Sequence, residues 1–127
     1  MNPLKKNLQS SDLADLAAKL ADSKKAELIT LIELAGSTDV TDWFVICQGD
    51  NVAHNRAIAQ AVIEGLRNIK INAWHAEGLT EGRWIVIDYS DVVVHVMLPD
   101  VREYYALDDL WPKAGRLHFS GDHSDVS

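Results

Sequence analysis

Hydrophobic and polar positions alternate along the stretch RWIVIDYSDVVVHVML, residues 83–98, on both sides of a polar Ser90-Asp91 pair. Alternation with a period of two is typical of β-strands, and a short polar break between two such runs predicts a hairpin. Pairing Tyr89 with Val92 across the break sets the register. One face of the hairpin then carries only β-branched and aromatic side chains, which are suited to burial beneath helices: Ile85, Ile87, Tyr89, Val92, Val94 and Val96.

The opposite face of this predicted hairpin has a mixed composition. It holds an indole, a thioether, a carboxylate and an imidazole among its members: Trp84, Val86, Asp88, Val93, His95 and Met97. Charged and polar side chains are unusual in a hydrophobic core, so we expect this face to contact a partner. This assignment of residues to the two faces holds if the turn has an even number of residues. With an odd number, the residues of one strand would point to the opposite face.

The rest of the chain alternates between helical and strand periods. Helices are predicted over residues 12–24, from Asp50 or Asn51 to about Asn68, and from Pro99 across residues 101–111 with a break near Ala106. Strands are predicted over residues 26–34, 42–48, 71–77 and the two arms of the hairpin. Ser11 is the expected cap of the first helix. This order predicts a single α/β domain with a mixed sheet of about five strands and helices mainly on one face.

Length and composition indicate one compact domain. The chain has 127 residues, of which 47% are hydrophobic, and it lacks a linker rich in Pro or Gly. We assign residues 1–112 to the domain and the polar residues 113–127 to a mobile tail. No run approaches the about 18 apolar residues that cross a bilayer, and the first residues lack the apolar core of a signal peptide. We therefore expect a cytoplasmic protein without a membrane partner.

The charge balance constrains the class of partner. Asp and Glu number 19 against 12 Lys and Arg, which gives a net charge of −7. An acidic surface repels phosphate backbones, so direct nucleic-acid binding is disfavoured, whereas a basic protein partner fits. Cys47 is the single cysteine and lies in an apolar strand, which indicates an inert core thiol rather than a disulfide or a nucleophile.

Candidate catalytic and metal-binding residues are sparse. His75 and Glu77 share a strand face and can chelate a metal, but no further ligand is evident. His95 and Asp88 allow a metal ligand or a base, although a hydrogen-bonded structural histidine is the better interpretation. The pair at residues 36–37, Gly-Ser, resembles the opening of a nucleotidyltransferase site, but the following strand lacks the alternating carboxylates that hold magnesium. We expect no catalytic residue, metal or cofactor.

Several motifs, taken in their order along residues 8–112, resemble one family. They are TDWFVI at 41–46, Gly49, His54 with AIA at 57–59, EG at 77–78, WIVID at 84–88, DVVVHVM at 91–97, REYY at 102–105 and LW at 110–111. Together they are similar to the ribosomal silencing factor family, also called RsfS or Iojap. The combination of DVVVHV, REYY and LW carries the resemblance, because each motif alone would be weak.

The resemblance implies an α/β fold similar to a nucleotidyltransferase domain without its activity. It also implies binding to ribosomal protein L-fourteen of the large ribosomal subunit, which obstructs joining of the small subunit and represses translation when nutrients are scarce. The family's partner-contacting tryptophan matches Trp84, and its neighbours match His95 and Met97. Ser90 stands where the family commonly has a glycine in the hairpin turn.

The predicted partner-binding surface combines both lines of reasoning. Its apolar centre is Trp84, Val86, His95 and Met97, its acidic rim is Glu77, Asp88 and Asp91, and Arg102 with Tyr105 frames it from the last helix. A homodimer through the same surface is a further expectation. Two alternatives stay open at this point: a degenerate nucleotidyltransferase-like enzyme and a homo-oligomeric scaffold.

Overall fold

The computed structural model describes residues 9–119 and places them in one six-stranded sheet with helices on both faces. The helices are α1 (Ser10–Asp22), α2 (Val52–Asn68), α3 (Pro99–Tyr105) and a 3-10 helix (Leu107–Asp109). The strands are β1 (Glu27–Glu33), β2 (Trp43–Gln48), β3 (His75–Glu77), β4 (Trp84–Asp88), β5 (Val92–Met97) and β6 (Gly115–His118). The α/β prediction is confirmed, with one strand more than expected.

The sheet is mixed. Its strand order is β3-β4-β5-β2-β1-β6, in which β2 and β5 run parallel and the other neighbouring strands run antiparallel. The parallel pair requires a crossover, and the crossover contains α2, β3 and β4. The hairpin strand β5 therefore lies directly beside the strand WFVICQ at the centre of the sheet, and β4 lies on the other side of β5.

The predicted register of the β4–β5 hairpin is confirmed. Trp84 lies opposite Met97 and Val86 lies opposite His95. In the turn, the Tyr89 N–H donates to the Val92 carbonyl at 2.8 Å. Ser90 adopts a left-handed conformation with φ of 71°, which costs a non-glycine residue about 1–2 kcal/mol. Ser90 therefore occupies a position that favours glycine.

The two long helices cover one face of the sheet. That face carries the β-branched set of the hairpin, and it packs against α1 and α2 in the larger hydrophobic core. Alanines at positions 14, 17, 18 and 21 of α1 are fully buried, so the helix backbone lies close to the strands. The prediction that the pure β-branched face lies beneath helices is confirmed.

The opposite face is covered only in part. The short helix α3 and the 3-10 helix fold back over it, and a second core forms from Ile32, Leu34, Phe44, Ile46, Val93, Met97, Val101 and Leu107. Trp84 and Val86 pack at the edge of this core and remain partly exposed. The margin formed by β3 and β4 is therefore one part of this face that stays open.

Helix and strand ends differ from the predictions in detail. Helix α1 begins at Ser10 after Gln9, whose side chain makes no capping bond, so the expected Ser11 cap is wrong. The cap of α2 is Asn51, whose Oδ1 accepts from the His54 N–H at 2.8 Å. The predicted break near Ala106 is confirmed, because this residue ends α3 in a left-handed conformation. Strand β3 is shorter than the predicted strand over 71–77.

The predicted boundary at residue 112 is corrected for part of the tail. Residues 115–118 form β6, which pairs antiparallel with β1 and places Leu117 opposite Leu31. Arg116 also donates to the carbonyls of Asp108 and Trp111, at 2.8 and 3.0 Å. The segment pairs with the backbone N–H and C=O groups at the edge of β1, and this pairing does not depend on an apolar sequence. The remaining tail, residues 120–127, lies outside the described residues.

Candidate functional site

Trp84 is the aromatic residue of the mixed face, and it remains partly exposed while its indole makes a hydrogen bond. Its Nε1–H donates to Nδ1 of His95 at 3.1 Å. Its ring centroid lies 5.0 Å from that of Tyr105 and 6.0 Å from that of His95. The confirmed register explains the contact, because Trp84 and His95 are diagonal neighbours on one face of an antiparallel pair.

A continuous row of rings runs from the core to the surface. It passes through Trp111, Phe44, His95, Trp84, Tyr105 and Tyr104. Phe44 meets His95 with a centroid distance of 4.5 Å and Trp111 with one of 5.4 Å, both in edge-on geometry. Edge-on pairs of this kind stabilise a site by about 0.5–1.5 kcal/mol each beyond simple burial. The row connects the second core to the exposed ring of Tyr104.

His95 is a buried structural histidine. Burial lowers the pKa of His95 to about 4, although the charge of Asp108 acts in the opposite direction. The imidazole is therefore neutral at neutral pH. Because Nδ1 accepts the Trp84 N–H, the ring proton lies on Nε2, and this buried atom has no hydrogen-bond partner among the described residues. The predicted hydrogen-bonded histidine is confirmed.

The open margin is the part of the sheet left uncovered beside α3, and we define it as His75, Glu77, Trp84, Val86 and Asp88. The β3–β4 register places His75 opposite Asp88 and Glu77 opposite Val86, so all of them share the face of Trp84. His75 Nε2 lies 3.3 Å from Glu77 Oε1, and both side chains are more than half exposed. The margin combines a partly exposed apolar strip with carboxylates at its border.

Two predicted members of the apolar centre lie deeper than expected. Met97 is fully buried and His95 is 6% exposed, since α3 begins just after β5 and packs Val101 into the same core. The expectation that Met97 lies on an accessible surface is therefore wrong. Only Trp84 and Val86 of the predicted apolar centre are accessible in this conformation.

Arg102 anchors α3 instead of facing outward. Its Nε and Nη2 donate to the two carboxylate oxygens of Asp108 at 3.2 and 2.7 Å. Its Nη1 donates to the carbonyl of Leu28 at 2.7 Å, and Nη2 also reaches Thr30 Oγ1 at 3.2 Å. Burial alone would raise the pKa of Asp108, but hydrogen bonds from Arg102 and its charge outweigh this effect and lower it. These contacts give Arg102 a structural role.

The remaining predicted residues lie within the margin or at its border. Tyr105 is 54% exposed and covers one side of Trp84. Asp91 is exposed in the hairpin turn, and its carbonyl accepts the N–H groups of Asp42 and Trp43. Asp88 is partly exposed, and its Oδ1 accepts the Ser90 N–H at 2.7 Å. The acidic rim is thus spread between the margin and the turn.

Some residues of the site were not predicted from the sequence. The ion pair between Asp108 and Arg102 was not predicted. The ring contacts that join Trp111 to Phe44 and Phe44 to His95 were not predicted either. Tyr104 and Trp74 are each 81% exposed, which also went unnoticed. The density of aromatic residues in REYYALDDLW was the available signal, because exposed aromatic side chains are enriched at protein interfaces.

The structure offers little support for catalytic chemistry. Within residues 9–119, no group of three or more His, Cys, Asp and Glu side chains is placed to hold a metal ion. Burial raises the pKa of the Cys47 thiol to about 12, so the prediction of an inert core cysteine is confirmed. In that same range, no helix has the length and apolar character to span a membrane.

These features define a small α/β domain with a half-open aromatic sheet face. A family model described as "Ribosomal silencing factor during starvation" matches residues 7–126, and the chain belongs to this family. The chain is 36% identical to Ribosomal silencing factor RsfS of Bacillus subtilis over 107 residues, which is 84% of this chain and 91% of that protein.

Two further comparisons extend this result. A crystal structure of a protein from Chromobacterium violaceum is similar with a TM-score of 0.81 and 28% identity, covering 94% of this chain and all of the other. A mouse protein named "Mitochondrial assembly of ribosomal large subunit protein 1" is 29% identical over 76% of this chain and 44% of its own length.

Proposed function

We propose that this protein represses translation by binding ribosomal protein L-fourteen on the large ribosomal subunit and blocking joining of the small subunit. The open margin is the docking surface. The observation that carries the proposal is the Trp84 indole, which is partly exposed on a sheet face yet held by a hydrogen bond and a tilted ring contact with Tyr105. Trp anchors of this kind are typical hot spots of protein interfaces.

The charges of the margin support a basic protein partner. Glu77 and Asp88 border the apolar strip, and Asp91 extends the acidic rim into the hairpin turn. A carboxylate rim accelerates encounter with a basic surface and adds less to the final affinity. Ribosomal proteins that bind RNA are generally basic, whereas RNA phosphates are repelled by the net charge of −7. Membership of the ribosomal silencing factor family supports the same class of partner.

Co-sedimentation with purified large ribosomal subunits tests the proposal. The native chain is compared with Trp84→Glu, after circular dichroism has shown that the variant folds. Trp74→Glu is the matched control, since Trp74 is highly exposed but lines a cavity with Ile63 and Arg67 on the α2 side of the sheet. We expect the native chain and Trp74→Glu to sediment with the subunits and Trp84→Glu to stay in solution.

Each alternative result has a definite meaning. If the native chain does not sediment, the ribosomal proposal fails. If Trp84→Glu sediments as well as the native chain, another face binds the subunit. Pull-down with isolated L-fourteen and a gradient assay of subunit joining then test the two finer parts of the proposal separately.

A homodimer through the same margin is the competing arrangement. The strip around Trp84 and Val86 would be covered equally well by a second copy, because an isologous contact pairs the same patch on both subunits. Sedimentation velocity of the native chain and of Trp84→Glu distinguishes the cases. A dimer that Trp84→Glu dissociates, and that large subunits also dissociate, would mean that dimerisation and ribosome binding compete.

A further inference from the structure

We infer that His95 is a positioning residue, whose Nδ1 holds the Trp84 indole in the orientation that docks onto the partner. This inference rests on the proposed function, because it assigns a role within the same docking surface. It concerns a residue that is itself too buried to contact the partner, being 6% exposed.

The hydrogen bond between the two rings has a defined direction. The indole Nε1–H can only donate, so His95 must accept with an unprotonated Nδ1, at 3.1 Å. On its other side, the Trp84 ring lies against Tyr105 with a centroid distance of 5.0 Å. The bond and the tilted Tyr105 ring together restrict rotation of the indole about its side-chain torsions.

Ring contacts with the second core fix the position of His95. Phe44 meets the imidazole edge-on at a centroid distance of 4.5 Å, and Trp111 meets Phe44 at 5.4 Å. The acceptor is therefore carried by packed core rings and not by a mobile side chain. Such support from a rigid core is what places a functional side chain accurately.

Stability alone does not explain a histidine at this position. Its Nε2 is buried and lacks a hydrogen-bond partner among residues 9–119, which is unfavourable for folding. The strand around it reads Val92, Val93, Val94, Val96 and Met97, so an apolar residue would fit the local pattern. What the histidine supplies and an aliphatic residue cannot supply is the acceptor for the Trp84 N–H.

Fixing the indole before docking lowers the entropic cost of binding. Immobilising one side chain at an interface costs about 0.5–1.5 kcal/mol, which corresponds to about a 2- to 10-fold change in Kd. A variant that loses the acceptor should weaken binding within this range. It should not lose stability, because the orphaned buried donor is removed at the same time.

The test compares His95→Leu with His95→Asn. Leucine fills the space without an acceptor, whereas asparagine retains a polar acceptor near the position of Nδ1. The first readout is the indole N–H resonance of Trp84 in the free protein by NMR, identified as the resonance missing from Trp84→Phe. The second readout is the Kd for purified large ribosomal subunits, and the third is thermal unfolding.

We expect the indole resonance to move upfield in His95→Leu and binding to weaken about 2- to 10-fold, with the unfolding temperature unchanged or raised. In His95→Asn, the resonance and the affinity should return toward native values. If His95→Leu does not fold, His95→Phe removes the acceptor while keeping a flat ring.

Three results would overturn the inference: an unchanged indole resonance in the apolar variant that folds, native affinity in a variant whose resonance has moved, or weaker binding without any change in the resonance. The NMR readout uses the free protein. If the native chain does not bind large subunits, that result counts against the proposed function, while the resonance still decides whether His95 orients Trp84.

Discussion

The sheet face beneath α3 consists of two halves that are held together by different forces. Toward β1 and β6, Arg102 joins α3 to Asp108 and to the carbonyl of Leu28 through charged, directional hydrogen bonds, and its side chain is 11% exposed. Toward β3, the contacts of Trp84 are ring contacts and one neutral hydrogen bond. The charged half is fixed by directional bonds although it borders an open cavity lined by Leu28 and Arg102. The aromatic half leaves the apolar surface of Trp84 and Val86 for a partner to cover.

The difference separates residues that hold the fold from residues that are available for binding. Both kinds of residue come from one short segment, because Arg102 and Tyr105 lie in the same helix and contact opposite halves of the face. A partner that docks on the aromatic half therefore meets a helix whose position is fixed by the charged half.

Breaking the charged half should have the largest effect. Arg102→Ala removes the cation that is hydrogen-bonded to the Asp108 carboxylate, and breaking a largely buried ion pair costs about 3–5 kcal/mol. Urea unfolding measures the loss. The control is Lys19→Ala, which breaks the exposed pair with Asp15 at 3.1 Å and should cost less than about 1 kcal/mol. Equal losses in the two variants would contradict the assignment of Arg102 as an anchor.

The two halves should also lose stability in different pH ranges. The folded-state pKa of His95 is about 4, below the ordinary value of 6.5, so the unfolded chain binds the proton first. The contribution of His95 to the free energy of unfolding is therefore fully present above pH 6.5. It is lost as the pH falls toward 4, by about 3 kcal/mol at most. The pKa of Asp108 is lowered from 3.8, so its contribution is present above that pH and is lost below it.

Denaturant unfolding between pH 7 and pH 4 checks this dependence, with His95→Leu as the comparison. The variant should lose the decrease over that interval, since leucine does not titrate. A native chain whose stability is flat from pH 7 to pH 4 would show that His95 has an ordinary pKa in the folded state.

Truncating the aromatic half should affect binding more than folding. Trp84→Ala removes the proposed anchor and is expected to weaken binding to large subunits by about 2 kcal/mol, close to 30-fold in Kd. Isothermal calorimetry or filter binding measures the change. Met97→Ala is the contrasting variant, because Met97 is fully buried and its truncation should lower stability while the folded fraction binds normally. The opposite pattern would place the contact on Met97 and not on Trp84.

The smallest expected effect is on the rate of association. Glu77→Lys reverses an exposed charge of the margin and should lower the association rate severalfold at low salt, with little difference at high salt. Stopped-flow fluorescence at two salt concentrations measures it. Glu64→Lys, an exposed charge on α2, changes the net charge equally and should have the weaker effect. Identical rates for both variants would mean that only net charge matters.

The hairpin shows how far local sequence pattern leads. Side chains alternate across a strand, so the order of residues 83–98 alone predicts which of them share a face, and the structure has that register. The break at Ala106 followed in the same way from local pattern. Trp84 was predicted to contact a partner because its strand face mixes polar and apolar side chains. The resemblance to the family to which the chain belongs gave the same prediction.

What the pattern did not contain is the coverage of each face. Met97 and Trp84 are opposite neighbours with the same orientation, yet α3 buries the first and leaves the second partly exposed. The strand β6 and the Arg102–Asp108 pair also depend on neighbours that are distant in the sequence or lie past a helix end. Alternation thus determined the direction of each side chain, and the packing of α3 decided which of those directions leads to solvent, because burial depends on contacts that no local period encodes.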